Sequence, residues 1–403
     1  MTELRKSLSF MDIYLFSIGY IIGAGIFILI GKIGKTAKGY SWISFLLAGI
    51  IAIIISSSYF DISHLYNTNF SEIKMVKKYF GEYTGILYII ITLGIGIFTN
   101  STVSLTIGET LQPIINISPY MISILFIFIF SMINCIGIRE SAIFNHCSTI
   151  VEIIALITII CYGFNRKKTI VSSTKSIGFT KIIYTSMLAM FAYSGFETTI
   201  KLTEESKNPN DIPIAILASI VSASIIYILI ALVSVKIMSP KELLNSSFPL
   251  VDLSKILMGN NISKLFLLIG IFSISNTLLI SILGTSRIVK SIGDMYPKIE
   301  WLGYIDKNTQ TPIYATIIVS IASVLCLLVK DSEKLVKITT CLLFMLFAIV
   351  NACLIKAYYN NKTNAKLKTS WTNPINQGKP ILPTISLLIS LGILGFGCFQ
   401  TMI

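Results

Sequence analysis

The sequence predicts an all-α polytopic membrane protein of about eleven transmembrane helices, arranged as a five-plus-five inverted repeat in which helices one and six are broken. Three observations predict it. The 403 residues are 54% hydrophobic and only 13% charged, with mean hydropathy +0.80, a balance that soluble domains of this size do not show. Apolar runs of about twenty residues, the length that crosses a bilayer core, recur along the whole chain. Two of these runs carry interruptions at matching places, Gly23-Ala24-Gly25-Ile26-Phe27 in the first and Ser194-Gly195-Phe196-Glu197 in the sixth. A helix that breaks at mid-depth leaves bare N–H and C=O groups, which are tolerated only where they line a cavity or hold a ligand. Paired breaks in the two halves of a chain point to a secondary transporter with its substrate between them.

Taken in order, the spans read as residues 13–32, 41–62, 83–111, 120–138, 144–163, 181–202, 212–236, 263–284, 312–329, 335–355 and 381–402. The third is long enough to be strongly tilted. Between spans two and three, Asn69 to Tyr83 places Ile73, Val76 and Phe80 against Lys74, Lys77 and Lys78, the pattern of an amphipathic interfacial helix. Lys290 to Thr311 reads as a polar loop closed by Pro312. Lys356 to Lys379 is the most polar run and reads as a flexible linker. The whole chain, 1–403, forms one transmembrane domain: one repeat over about 10–165, a second over about 178–358, and an extra helix at about 381–402. Five spans per repeat set the two halves in opposite orientations. There is no cleavable signal peptide, because the N-terminal region runs straight into a span longer than a signal h-region.

The formal charge of +13 does not indicate nucleic acid. The Lys and Arg residues sit mostly in short loops, where they meet lipid headgroups and set topology. Lys32, Lys35 and Lys38 with Arg166, Lys167 and Lys168 nearly flatten the charge asymmetry across the membrane. Arg5, Lys6 and the basic interfacial helix favour an N-terminus on the inside. The chain ends at Ile403 after the eleventh span, which would put the C-terminus outside. The seven Cys form no C-x-x-C and fall mostly in apolar runs, so they read as small buried hydrophobes. His146 and Cys147 are neighbours on a helix and diverge, which argues against a shared metal. With no Ser-His constellation or paired His/Asp motif, the chain reads as no enzyme and as needing no cofactor.

Gly23 and Gly25 permit unwinding and close backbone approach. The half-helix after the break presents free N–H groups and a positive dipole end, suited to a carboxylate; close helix packing is the bland alternative. Glu197, at the edge of the second break, could hold unwound backbone N–H groups or carry a coupling proton. Glu152, flanked by Ile150, Val151, Ile153 and Ile154, could bind Na⁺, titrate, pair with a cation, or be a structural acid. Asn100, Asn276 and Thr340-Cys341 could reach a side-chain pocket or simply bond a neighbouring helix.

Four segments carry a family resemblance: Ile22 to Phe27; Phe191-Ala-Tyr-Ser-Gly-Phe-Glu197; Glu204 to Pro213; and Thr285-Ser-Arg287 with Asp294 to Pro297 and Thr311-Pro312. Gly81-Glu82 and Glu140-Ser141-Ala142 also fit. Along nearly its whole length the chain resembles the amino acid–polyamine–organocation superfamily of permeases. The resemblance implies the inverted-repeat fold, a cytoplasmic N-terminus and transport of amino acids or related amines by alternating access. It implies that the Gly23, Ala24 and Gly25 amides hold the substrate carboxylate. Carbonyls near Tyr20 and Ile21, and near Phe191 and Ser194 beside Gly195, would take its ammonium, and Phe191 would cover the bound substrate. Asn100 would contact substrate. Glu204, Glu205, Lys207, Asp211 and Arg287 would form a gate network. Glu152 departs from the family pattern, since it falls where many similar proton-coupled permeases carry a lysine, so coupling to H⁺ or Na⁺ does not transfer directly. The partners implied are a small amino acid and the bilayer; an amino acid/amine exchanger and a non-transporting sensor of the same fold are the rival readings. Without an acid plainly free for a cationic side chain, the pocket favours neutral or small amino acids.

Overall fold

The computed structural model describes residues 6–66, 68, 71–166, 177–246 and 248–401. The expectations for Arg5, Lys167, Lys168 and Asn69 lie outside the described residues. The eleven spans appear as α1 (Phe10–Ala37), α2 (Ser41–Leu65), α4 (Glu82–Ile115), α5 (Pro119–Ile136), α6 (Ile138–Asn165), the broken pair α7 (Phe179–Tyr193) and α8 (Phe196–Thr199), α9 (Asp211–Ile237), α12 (Asn260–Met295), α13 (Ile313–Cys326), α14 (Ser332–Tyr358) and α17 (Ile381–Thr401). The interfacial helix is α3 (Ser71–Phe80). Among the described residues the β pairing is confined to one isolated bridge, Leu8 with Ser206.

Local chemistry sets the ends of these helices. Ser9 and Asp12 form a reciprocal capping box at the start of α1, which satisfies two orphan N–H groups. Asn116, in the left-handed region at φ 52°, closes α4. Pro119 then opens α5 at its first turn, where a missing N–H costs nothing.

The spans sort into two packed groups. Helices α2 and α7 with α1 and α9 form one group, α4, α5, α12 and α13 form a second, α1 also packs on α12 across them, and α14 lies against α4 and α17. Helix α6 lies against α1, α9 and α12, and so touches both groups. The outer faces carry large exposed apolar side chains, among them Met121, Leu125 and Phe128 on α5 and Leu265 and Leu268 on α12. In a membrane that surface meets lipid tails, which are as apolar as the side chains themselves.

The same reasoning corrects the cysteines. Of those described, Cys353 is buried, but Cys147 and Cys161 are exposed. A thiol on a lipid-facing surface is already in an apolar medium, so an apolar run does not imply burial in the protein.

Three connections differ from expectation. α12 continues through Lys290 to Met295 and is followed by a 3-10 turn, Pro297–Gly303, so the polar loop is shorter than read. Two short helices unannounced by apolar runs, α10 (Pro240–Asn245) and α11 (Pro249–Met258), join α9 to α12. The polar run after α14 is not a free linker: it folds into α15 (Asn361–Leu367) and α16 (Asn373–Asn376). Its anchor is Asp61 of α2, fully buried, which accepts from Tyr358 at 2.8 Å and from the hydroxyls of Ser370 and Thr372. A buried carboxylate requires such donors, and the hydroxyl-rich segment supplies them.

Candidate functional site

The two breaks lie side by side. In α1, Gly23 leaves helical geometry at φ −1°, ψ −122°. In the other run, α7 ends at Tyr193, and Gly195 takes φ 120° before α8 begins, a conformation open to glycine at little cost. A Cβ on Gly25 would lie 2.5 Å from the Ala192 Cα, and one on Gly195 would collide with the Tyr20 ring. The glycines therefore let the two broken helices touch backbone to backbone.

The freed backbone groups have partners from neighbouring helices and from within the second break. The Ala24 N–H donates to the Thr277 hydroxyl of α12 at 2.9 Å. The Gly195 N–H donates to Glu197 Oε2 at 2.8 Å, so Glu197 braces the second break. The Phe191 carbonyl accepts from the Ser194 N–H at 3.2 Å and the Ser194 hydroxyl at 2.6 Å. Tyr227 of α9 was not anticipated from sequence. Its hydroxyl lies 2.5 Å from the Ile21 carbonyl and 2.9 Å from the Ala192 carbonyl. One O–H has one proton to donate, so carbonyls from both breaks converge on a single donor. Such a convergence of oxygens is an electronegative pole suited to an ammonium group.

Removing that hydroxyl exposes the arrangement. Tyr227→Phe leaves two buried carbonyls without their donor, at a cost of about 1–3 kcal/mol for an unsatisfied buried group. Thermal unfolding of the purified variant should show this loss.

Behind the first break, Glu152 on α6 is fully buried. Its Oε1 accepts from the Ser273 hydroxyl of α12, while Oε2 has no partner among the described residues. Ser273 and Thr277 stand one turn apart on α12, so one helix face serves both Glu152 and the first break. Asn276 of the same helix bonds Asn145 at 2.9 Å, behind Gly19, rather than facing a pocket.

Asn100 is fully buried on α4, and its Oδ1 has no partner among the described residues. Its amide donates to Ser323 of α13 at 3.1 Å, within the second helix group. Of the residues expected in a gate network, Arg287 and Glu205 form a buried pair, Arg287 Nη2 to Glu205 Oε1 at 3.0 Å, with side chains 2% and 1% exposed. Asp211 instead accepts from the Asn208 amide, and Lys207 is exposed; Glu204 is half-buried. The N-terminal segment straps this end of the broken helix: the Ser7 and Leu8 N–H groups each lie 3.0 Å from the Glu205 carbonyl, and the Lys207 N–H donates to Leu8 at 2.9 Å.

Two crevices with almost no free volume, about 0 and 10 Å³, flank the second break. Ser194, Phe196, Thr340 and Phe344 border one, and Phe16, Tyr20, Gly195 and Ile280 the other. Phe191 is buried and borders neither.

Sequence reading also missed a buried charge cluster beside this break. Lys201 sits in the 3-10 turn Ile200–Glu205 that follows α8, and Glu72 sits on α3; they are 9% and 4% exposed. The signal was present. Lys201 falls one turn after Glu197, and Glu72 adjoins the apolar face of Ile73 and Val76.

Helices of this length and apolarity, with two of them interrupted against each other, define an integral multi-pass membrane protein. Residues 8–403 match the family described as amino acid permease, and the chain belongs to that family. It is 23% identical over 384 residues to cationic amino acid transporter 1 of Arabidopsis thaliana, covering 89% of this chain and 64% of that protein. It is 25% identical over 398 residues to the vacuolar cationic amino acid transporter 4 of the same plant, covering 91% and 66%. With cationic amino acid transporter 4 of Mus musculus it shares 24% identity over 364 residues, covering 83% and 57%. The chain thus spans less than two thirds of the length of these relatives.

Proposed function

We propose that this chain moves a free amino acid across a membrane by alternating access, with the substrate held between the two breaks. The observation that carries this reading is the backbone contact of Gly25 with Ala192, bridged by Tyr227. The amides of Gly23, Ala24 and Gly25 take the substrate carboxylate, and the carbonyls gathered at Tyr227 take its ammonium. Thr277 and Tyr227 hold these groups while no substrate is bound. The two helix groups are the bodies that rock against each other, in the pairing an inverted repeat would give. Membership of the permease family and the names of the relatives support amino acids as the substrate class. Competition tests the site. Free amino acids should inhibit uptake into proteoliposomes, whereas their N-acetyl and carboxamide analogues should not. Equal inhibition by the blocked analogues would remove the substrate from between the breaks.

Transport is coupled to a cation through the buried acids behind the breaks, Glu152 and Glu197. Glu152 acts on the first break through Ser273 and the α12 face that carries Thr277. Glu152→Gln keeps a partner for the Ser273 hydroxyl but removes the charge. The expected result is a weaker response of uptake to an imposed H⁺ or Na⁺ gradient, measured as the ratio of uptake with and without the gradient. An unchanged ratio would make Glu152 structural.

A further inference from the structure

Resting on the permease reading, we propose that Glu72, Lys201 and Glu197 form a proton-exchange site behind the second break, with the exchanged proton on Glu72. Three ionisable side chains from three elements are buried within electrostatic reach of one another: Glu72 from the interfacial helix α3, Lys201 from the 3-10 turn, and Glu197 from α8. None exceeds 9% exposure, and Lys201 lies within electrostatic reach of both carboxylates. Two carboxylates against one ammonium leave one uncompensated negative charge, which is costly in a buried site. Binding one proton neutralises the cluster.

A second observation points into the same place. Tyr59 of α2 is fully buried, its hydroxyl has no hydrogen-bond partner among the described residues, and it lies within electrostatic reach of both Glu72 and Glu197. Its ring meets Phe196 edge-on at 5.6 Å, immediately after Gly195. A phenol can donate to an ionised carboxylate or accept from a protonated one, so it can serve either state.

The two acids are not equivalent. Glu197 already receives the Gly195 N–H at 2.8 Å, which favours its ionised form. Glu72 has no external donor of that kind among the described residues, and burial pushes its carboxyl up to about 7, with Lys201 acting in the opposite direction. The other groups within its electrostatic reach among the described residues are Tyr59 on α2 and Tyr88 on α4, and Cys353 on α14 lies by Tyr88. On α3 itself, Lys77 is turned to Glu82 and Tyr296, Lys78 interacts with Tyr66 and Tyr79, and Lys74 is exposed.

The proton adds to the Glu72 carboxylate and leaves from it, and no other bond changes. With Glu72 neutral, Lys201 pairs with Glu197 alone, and the brace on Gly195 is reinforced. With Glu72 ionised, Lys201 is divided between two carboxylates. Proton occupancy on α3 is thereby transmitted to the backbone that holds the substrate.

The test uses full-length protein in liposomes. At one proton per substrate, an imposed difference of about one pH unit supports about tenfold accumulation. Wild type should approach that ratio, and Glu72→Gln should bring the ratio of uptake with and without the proton gradient to one. Because Glu72→Gln could lose all uptake by failing to fold, Glu72→Asp is the second variant. It keeps a carboxylate and should displace the pH midpoint of driven uptake, which lies near 7 and falls away as the loading side becomes more alkaline. A wild-type ratio in Glu72→Gln, an unmoved midpoint in Glu72→Asp, or wild-type exchange indifferent to the proton gradient each overturns the proton site while leaving the permease standing. Wild-type vesicles that move no amino acid under any condition sink the permease reading first, before any variant is made.

Discussion

Arg287→Met should destabilise the protein by about 3–5 kcal/mol, the cost of removing one partner from a buried ion pair. Arg287 and Glu205 are bonded at 3.0 Å with almost no exposure, so the substitution strands a buried carboxylate. The Arg287→Met/Glu205→Leu double variant removes both charges and should recover most of that stability, because an apolar pair of similar volume is often no worse than the ion pair it replaces. Transport should not recover with it. Arg287 stands on α12, in the second helix group, and Glu205 ends the broken sixth span, in the first. The pair therefore latches one group to the other at the N-terminal end of α1, where the Leu8 strap also lies. Thermal unfolding in detergent measures the stability cycle, and proteoliposome uptake measures the latch. Full rescue of both by the double variant would reduce the pair to a packing element.

Gly25→Leu should be as severe by a different route. The approach of Gly25 to the Ala192 Cα, at 2.5 Å for an added Cβ, is to backbone. No rotamer change in a neighbour can relieve it. Overpacking costs about 1–3 kcal/mol, and more where the backbone must shift. The shift here would separate the breaks and pull the Ile21 and Ala192 carbonyls off Tyr227. Uptake should be abolished and the unfolding temperature lowered. A Gly25→Leu protein that transports at the wild-type rate would show that contact between the breaks is dispensable.

What the sequence made legible follows from the physics of each element. Every span could be placed because bilayer thickness fixes the length of an apolar run, and both breaks could be placed because glycines in such a run are conspicuous. Hydroxyls in an apolar helix carry no comparable mark. Ser273, Thr277 and Tyr227 look like ordinary packing residues until the helices they face are known, although the one-turn spacing of Ser273 and Thr277 was visible. Asn100 was read as reaching a side-chain pocket or bonding a neighbouring helix, a choice that depends on helix rotation, and its amide bonds Ser323 of α13. The segment from Lys356 to Lys379 was misread because local polarity reports solvation only when nothing buried needs a donor. Asp61, nearly three hundred residues earlier, needs several. Glu72 and Lys201 were passed over because charges beside an interfacial helix ordinarily face water, and their burial comes from tertiary packing alone.

The central claim is that an amino acid occupies the space between the two breaks and is carried from there. The most direct measurement is counterflow: wild-type protein in liposomes preloaded with each unlabelled amino acid, followed by uptake of the same amino acid in radiolabelled form. Saturable uptake above protein-free liposomes for at least one amino acid, suppressed by its free analogues and lost in Gly25→Leu, is the predicted result. Binding of an amino acid with no flux in any condition would contradict the claim and leave a protein that senses its ligand without moving it.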